Sequence, residues 1–165
     1  MERVVLVGFA GAGKSTLGKS LAKLMDCQFI DLDRYIEDKA GLSIGDFIFQ
    51  FGEQSFRKLE YACLQDVLKI KDCVIATGGG SPCYEDAMQL IVKNSLSIYL
   101  RLSVASLFDR LIHAKKKRPL LPDNEEDLKK YIDFNLKKRE PFYSRSSLIV
   151  KGENINVKQI FDQIN

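Results

Sequence analysis

The sequence predicts an α/β fold: a five-stranded parallel sheet flanked by helices as a three-layer sandwich, with a phosphate-binding loop (P-loop) between its first strand and first helix. Three observations carry that expectation. The apolar run Val4-Val5-Leu6-Val7 is followed by Gly8-Phe9-Ala10-Gly11-Ala12-Gly13-Lys14-Ser15-Thr16, which matches G-x-x-x-x-G-K-[ST] at every fixed position. Short apolar segments then alternate with helix-like ones, the pattern of buried parallel strands joined by helical crossovers. Finally, 165 residues with 45% hydrophobic content can bury one substantial core, and no repeat, low-complexity tract or linker divides them. Residues 1–165 therefore read as one domain.

Taken in order, Val4 to Val7 reads as the first strand and Ser15 to Met25 as the helix after it. Between them, glycines let the backbone fold around an anion with its N–H groups inward, and the helix N-terminus adds partial positive charge. Gly11, Ala12, Gly13, Lys14, Ser15 and Thr16 are accordingly assigned to a nucleoside triphosphate, with Lys14 reaching the β- and γ-phosphates and the Ser15 hydroxyl ligating Mg2+. The second strand, Gln28 to Asp31, runs into Leu32-Asp33, so Asp31 and Asp33 share a face if the backbone stays extended. Asp31 could then hold Mg2+ through water while Asp33 orients or deprotonates a substrate hydroxyl. Equally, Asp33 could simply cap a helix beginning at Arg34. The residue pattern leaves both open.

The helix containing Tyr35 and Ile36 is expected to stop at Gly41, and Ser43-Ile44-Gly45-Asp46 resembles a capping box opening the next. The third strand, Cys73 to Ala76, is followed by Thr77-Gly78-Gly79-Gly80-Ser81-Pro82. Three consecutive glycines are entropically expensive, which points to close backbone approach or positive φ in a ligand-facing loop. A fourth strand is read at Leu96 to Leu102. Residues of about 113–124, with Lys115-Lys116-Lys117-Arg118-Pro119-Leu120-Leu121-Pro122-Asp123, form a candidate lid whose arginine, Arg118, would meet the nucleotide and whose three lysines are surface. The helical stretch Glu125 to Lys138 is expected to end near Pro141, with Arg139 late in it, and Leu148 to Val150 forms the last strand.

Composition excludes several classes. A net charge of +3 is too small to imply nucleic acid, and no apolar stretch approaches the length of a membrane span or signal peptide, so a cytoplasmic protein without a membrane partner is expected. Cys27, Cys63, Cys73 and Cys83 form no C-x-x-C pair and His113 is the only histidine, which argues against zinc and for reduced packing cysteines. A signalling GTPase would need N-K-x-D, which is absent, and Asp38-Lys39-Ala40-Gly41 falls in a predicted helix. A gluconate-type or nucleoside-monophosphate kinase is a closer rival, since fold and phosphate loop would be shared. A non-catalytic nucleotide-binding module is the third.

Six segments in this order resemble the shikimate kinase family, one of the nucleoside-monophosphate-kinase-like P-loop proteins. They are Gly8 to Thr16, Phe29-Ile30-Asp31-Leu32-Asp33, Gly52-Glu53-Gln54-Ser55-Phe56-Arg57-Lys58-Leu59-Glu60, Gly78-Gly79-Gly80, Arg118-Pro119-Leu120-Leu121 and Arg139-Glu140-Pro141-Phe142-Tyr143. The resemblance implies transfer of the γ-phosphoryl of ATP to the 3-hydroxyl of shikimate, with Mg2+, in a monomer. It also implies that Arg57 and Arg139 bind the acceptor carboxylate, Asp33 its ring hydroxyls and the Gly79 N–H a further acceptor atom. Lys14 and Arg118 would neutralise the transferred phosphoryl group, and Ser15, with Asp31 through water, would hold the metal. Glu60, one turn after Arg57, would orient it by a charge pair. Arg110 matches an arginine that stacks on adenine, with Asn156 in the loop Lys151 to Asn156 covering the other side.

Overall fold

Val4, Val5, Leu6 and Val7 are fully buried, as are Cys73, Val74, Ile75 and Ala76, because their strands occupy the middle of a sheet covered by helices on both faces. The computed structural model describes residues 3–115 and 118–164. Its five strands, β1 (Val4–Val7), β2 (Gln28–Asp31), β3 (Cys73–Ala76), β4 (Leu96–Arg101) and β5 (Leu148–Lys151), are all parallel in the order β2-β3-β1-β4-β5. The edge strands are less buried: Gln28 is exposed, and exposure alternates along β5. Around the sheet run α1 (Lys14–Leu24), α2 (Leu32–Ala40), α3 (Ile44–Phe51), α4 (Glu53–Val67), α5 (Ala87–Asn94), α6 (Val104–Ile112), α7 (Glu125–Tyr143) and α8 (Val157–Ile164).

Local chemistry sets most of the boundaries. Gly41 ends α2 with φ at 68°, a left-handed conformation open to glycine without a Cβ penalty. Ser43 opens α3 by accepting from the Asp46 amide at 3.1 Å while its hydroxyl donates to the Asp46 carboxylate at 2.7 Å. Three expectations need correcting. β4 stops at Arg101 and β5 continues to Lys151, since pairing between those two strands extends to Arg101 opposite Lys151. Helix α2 is capped by Asp31, whose Oδ1 accepts from the amides of Asp33 and Arg34 at 3.1 and 3.4 Å. Asp33 is therefore inside the helix and is not its N-cap. Finally, α7 does not end at Pro141 but passes through it to Tyr143. Pro141 is exposed, so its ring points to solvent, and the carbonyl it leaves without a donor belongs to the exposed Lys137, where water can serve it.

Parallel register then brings the loops together. Leu6 and Asp31 both pair with Ala76, so the carboxyl ends of β1, β2 and β3 are level along one edge of the sheet. Gly8, Leu32-Asp33 and Thr77-Gly78 leave that edge side by side, which is where an open α/β sheet binds ligands.

Candidate active site

The phosphate loop has the backbone its glycines were expected to permit. Gly11 and Gly13 stand at φ of 84° and 92°, and Gly13 leads directly into α1 at Lys14. Lys14 is buried, with its ammonium donating to the carbonyls of Gly8 at 2.7 Å and Phe9 at 2.8 Å. Burial, with the positive charges of Arg118 and Arg139, pulls the ammonium down to about 7, against the carboxylates of Asp33 and Asp31, which raise it.

That depression has a sign that can be measured. Bound phosphates favour the charged amine, so nucleotide binding above neutral pH requires a proton to be taken up. Uptake is expected to approach about one proton near pH ~8.5 and to vanish near pH ~6, where the amine is already charged. Calorimetric titration with ATP in buffers of different ionisation enthalpy gives the number directly. No uptake at the alkaline end would mean that Lys14 is charged before nucleotide arrives.

Ser15 and Asp31 meet across the gap between α1 and β2, the serine hydroxyl donating to Asp31 Oδ2 at 2.7 Å. An alcohol and a carboxylate so placed are a hard, all-oxygen pair. This suits Mg2+, which takes few protein ligands and keeps several waters. Among the described residues there is no cluster of three or more His, Cys, Asp or Glu side chains able to hold a metal by themselves, so a cation here would depend on phosphate and water as well.

The triple glycine lies against the phosphate loop, the Cβ position of Gly79 being 3.1 Å from the Ala10 nitrogen. None of Gly78, Gly79 and Gly80 has positive φ, so the need is for close approach. A Cβ on Gly80 would lie 2.5 Å from Arg57 Nη2, and one on Gly79 would lie 3.4 Å from Arg139 Nη1 and 3.1 Å from the Ala10 amide nitrogen. On Gly78 it would meet Asp33 Oδ1 at 3.1 Å and Glu60 Oε2 at 3.0 Å. Two carboxylates, those of Asp33 and Glu60, and two guanidinium groups thus converge on three bare peptides beside the phosphate loop.

Each cation is oriented from behind. Arg57 Nη1 donates to Glu60 Oε1 at 2.7 Å, and Glu60 is only 2% exposed. Burial raises the Glu60 pKa while the Arg57 charge and hydrogen bond lower it, so the pair depends on its partnership. Arg139 lies over the Phe9 ring at 5.3 Å and donates to the Tyr131 hydroxyl at 3.4 Å. Tyr131 and Tyr143 went unassigned in the sequence, although spacings of eight before and four after Arg139 put both on its face of a helix.

The nucleotide-base side is only partly assembled. Arg110 is brought against the phosphate loop, donating to the Ala12 carbonyl at 3.4 Å and to the Glu153 carbonyl at 2.7 Å, so it ties that loop to the segment after β5. Asn156 is instead engaged with α8, its Oδ1 accepting from the Lys158 amide at 2.9 Å. Arg118 is exposed, but its charge is felt at Lys14, and the adjoining Pro119 ring packs 3.4 Å from the Cβ position of Gly45 in α3. The segment at Arg118-Pro119 therefore reaches both the surroundings of Lys14 and α3. Lys115 is exposed, as a surface role requires, whereas Lys116 and Lys117 lie outside the described residues.

Comparison with known proteins agrees with this geometry. A family model described as shikimate kinase matches residues 10–165. The shikimate kinase of Parabacteroides distasonis is 41% identical over 156 residues, covering 94% of this chain and 90% of that protein. The crystal structure of shikimate kinase from Bacteroides thetaiotaomicron superposes with a TM-score of 0.90 at 34% identity, over 99% of this chain and 96% of that one. Shikimate kinase from Acinetobacter baumannii, solved in complex with shikimate, superposes at 0.89 with 30% identity, over 99% and 90%.

Proposed function

The chain belongs to the shikimate kinase family, and from that premise we propose how its residues divide the transfer of the γ-phosphoryl of ATP to the 3-hydroxyl of shikimate, a step toward chorismate and the aromatic amino acids. The observation that carries the reading is the convergence of Asp33, Arg57 and Arg139 on Gly78–Gly80 beside the phosphate loop. An acceptor with one carboxylate and several hydroxyls needs cationic forks at one end and a hydroxyl-binding carboxylate at the other.

In this division, Arg57 and Arg139 hold the acceptor carboxylate, and Asp33 accepts from the reacting hydroxyl, orienting it and taking its proton as the phosphoryl group transfers. The Gly79 N–H makes a further contact. Backbone amides from Gly11 to Thr16 cradle the phosphates, while Lys14 and the lid residue Arg118 neutralise charge on the group in flight. Ser15, with Asp31 through water, holds Mg2+, which when bound neutralises phosphate oxygens. Arg110 serves the adenine. Asn156 is kept as its opposite wall only through its backbone or free amide, since its carbonyl oxygen caps α8.

The protein is read as a cytoplasmic monomer with ATP and shikimate as its partners; no helix among the described residues is long and apolar enough to cross a membrane. A coupled ADP-release assay over shikimate, gluconate, AMP and CMP tests the assignment, with turnover expected on shikimate alone. Preference for gluconate or a nucleotide would overturn it, because each rival kinase predicts a different acceptor.

A further inference from the structure

Beneath the acceptor pocket lies a side chain that none of these steps uses. Tyr143, the last residue of α7, is fully buried, and its hydroxyl donates to the carbonyl oxygen of Gly79. A carbonyl can only accept, so the phenolic proton is committed to Gly79 and the oxygen lone pairs remain for a donor. Arg139 lies one helical turn earlier, and its guanidinium charge acts on the same hydroxyl. The ring is wedged against Tyr99, with centroids 5.1 Å apart.

Tyr143 thus holds the carbonyl of the residue whose N–H is assigned to the acceptor, and Arg139 Nη1 lies 3.4 Å from that same residue's Cβ position. The Gly79 peptide has little slack on its other side, since the Ala10 amide of the phosphate loop is 3.1 Å from its Cβ position. We propose that Tyr143 is a positioning residue for the acceptor: its hydroxyl holds the Gly79 carbonyl and so fixes that residue beside the Arg139 guanidinium, setting how the acceptor lies against the phosphate loop. Burial raises the Tyr143 pKa above the ordinary phenol value, so it stays a donor throughout the working pH range.

Tyr99 supplies an internal control. It is as deeply buried as Tyr143, yet its hydroxyl has no hydrogen-bond partner among the described residues. Removing an unpaired buried hydroxyl changes little, whereas removing a paired one leaves its partners unsatisfied.

The inference rests on shikimate being the acceptor, and its test separates the two. In Tyr143→Phe the ring and its packing remain, and KM for shikimate is expected to rise about tenfold while KM for ATP stays within about twofold, the loss of one well-placed hydrogen bond plus misalignment of its partners. Tyr99→Phe is expected to keep both constants. Placing 4-aminophenylalanine at position 143 restores a donor at the same point and is expected to bring KM for shikimate most of the way back. A Tyr143→Phe protein with unchanged shikimate KM, or with both KM values raised alike, overturns the positioning role, even if its Tm falls. Should Tyr143→Phe fold poorly, failure of the amino variant to bind shikimate normally once folded, as judged by calorimetry, overturns it just as well. If the unaltered protein itself ignores shikimate, the functional assignment has failed and not this one alone.

Discussion

Lys14→Ala is expected to lower kcat for shikimate phosphorylation by about 10³-fold or more, because a charge preorganised on the β- and γ-oxygens is removed where transition-state charge accumulates. The free protein already holds that amine in place, between the Gly8 and Phe9 carbonyls at the mouth of the loop. Stability should hardly change. A buried cation is costly to desolvate, so its removal offsets the loss of two hydrogen bonds, and the Phe9 carbonyl keeps the Ala12 amide at 3.1 Å. Affinity for ATP should fall much less than turnover, since the amides of the loop and the α1 N-terminus remain. Single-turnover kinetics with a parallel melting curve distinguishes these effects. A variant of normal Tm and near-normal kcat would remove Lys14 from the chemistry.

How much of this was legible in the chain depended on whether the governing interaction was local. Val4–Val7 and Cys73–Ala76 are continuous apolar runs of four, and they are indeed the central strands. The strand-to-helix turn at Gly8 to Thr16 and the Ser43 cap depend on a few neighbouring residues, and both are formed where those residues place them. Asp31 and Asp33 were legible as a pair but not as individuals. Which of two carboxylates caps α2 is decided by where the backbone leaves the extended conformation, and that happens two residues earlier than a cap at Asp33 would need. The end of α7 differs from the expectation because Pro141 falls in the last turn of the helix, and the carbonyl it leaves without a donor belongs to the exposed Lys137. What sequence could not supply was tertiary. The contacts of Gly78, Gly79 and Gly80 with Asp33, Arg139 and Arg57, and the bond from Tyr143 to Gly79, join segments tens of residues apart. The grip of Arg110 on Glu153 likewise depends on β5 delivering its following loop beside the first.

Because the cap of α2 belongs to Asp31, substitution at Asp33 can be read as chemistry. Asp33→Asn is expected to lower kcat by about 10²- to 10⁴-fold, the usual worth of a positioned general base, with a much smaller change in KM for shikimate. Shape is kept, and the amide can still meet a hydroxyl, but it cannot accept its proton. Tm should hold, since the amides of Asp33 and Arg34 bond to the Asp31 side chain whatever stands at position 33. Asp31→Ala is the contrasting case: it removes the cap, at about 1 kcal/mol or ~2–4 °C in Tm, together with the partner of the Ser15 hydroxyl. Arg57→Ala should fail differently again, raising KM for shikimate in line with the roughly 2–5 kcal/mol attached to a truncated buried charge pair, while leaving more of kcat. It also strands the buried Glu60 without its partner, so its melting curve must be read beside its kinetics. If Asp33→Asn turned over shikimate normally, the proton would have to leave by another route. Asp31, at the same strand end, already has its oxygens engaged by two amides and the Ser15 hydroxyl.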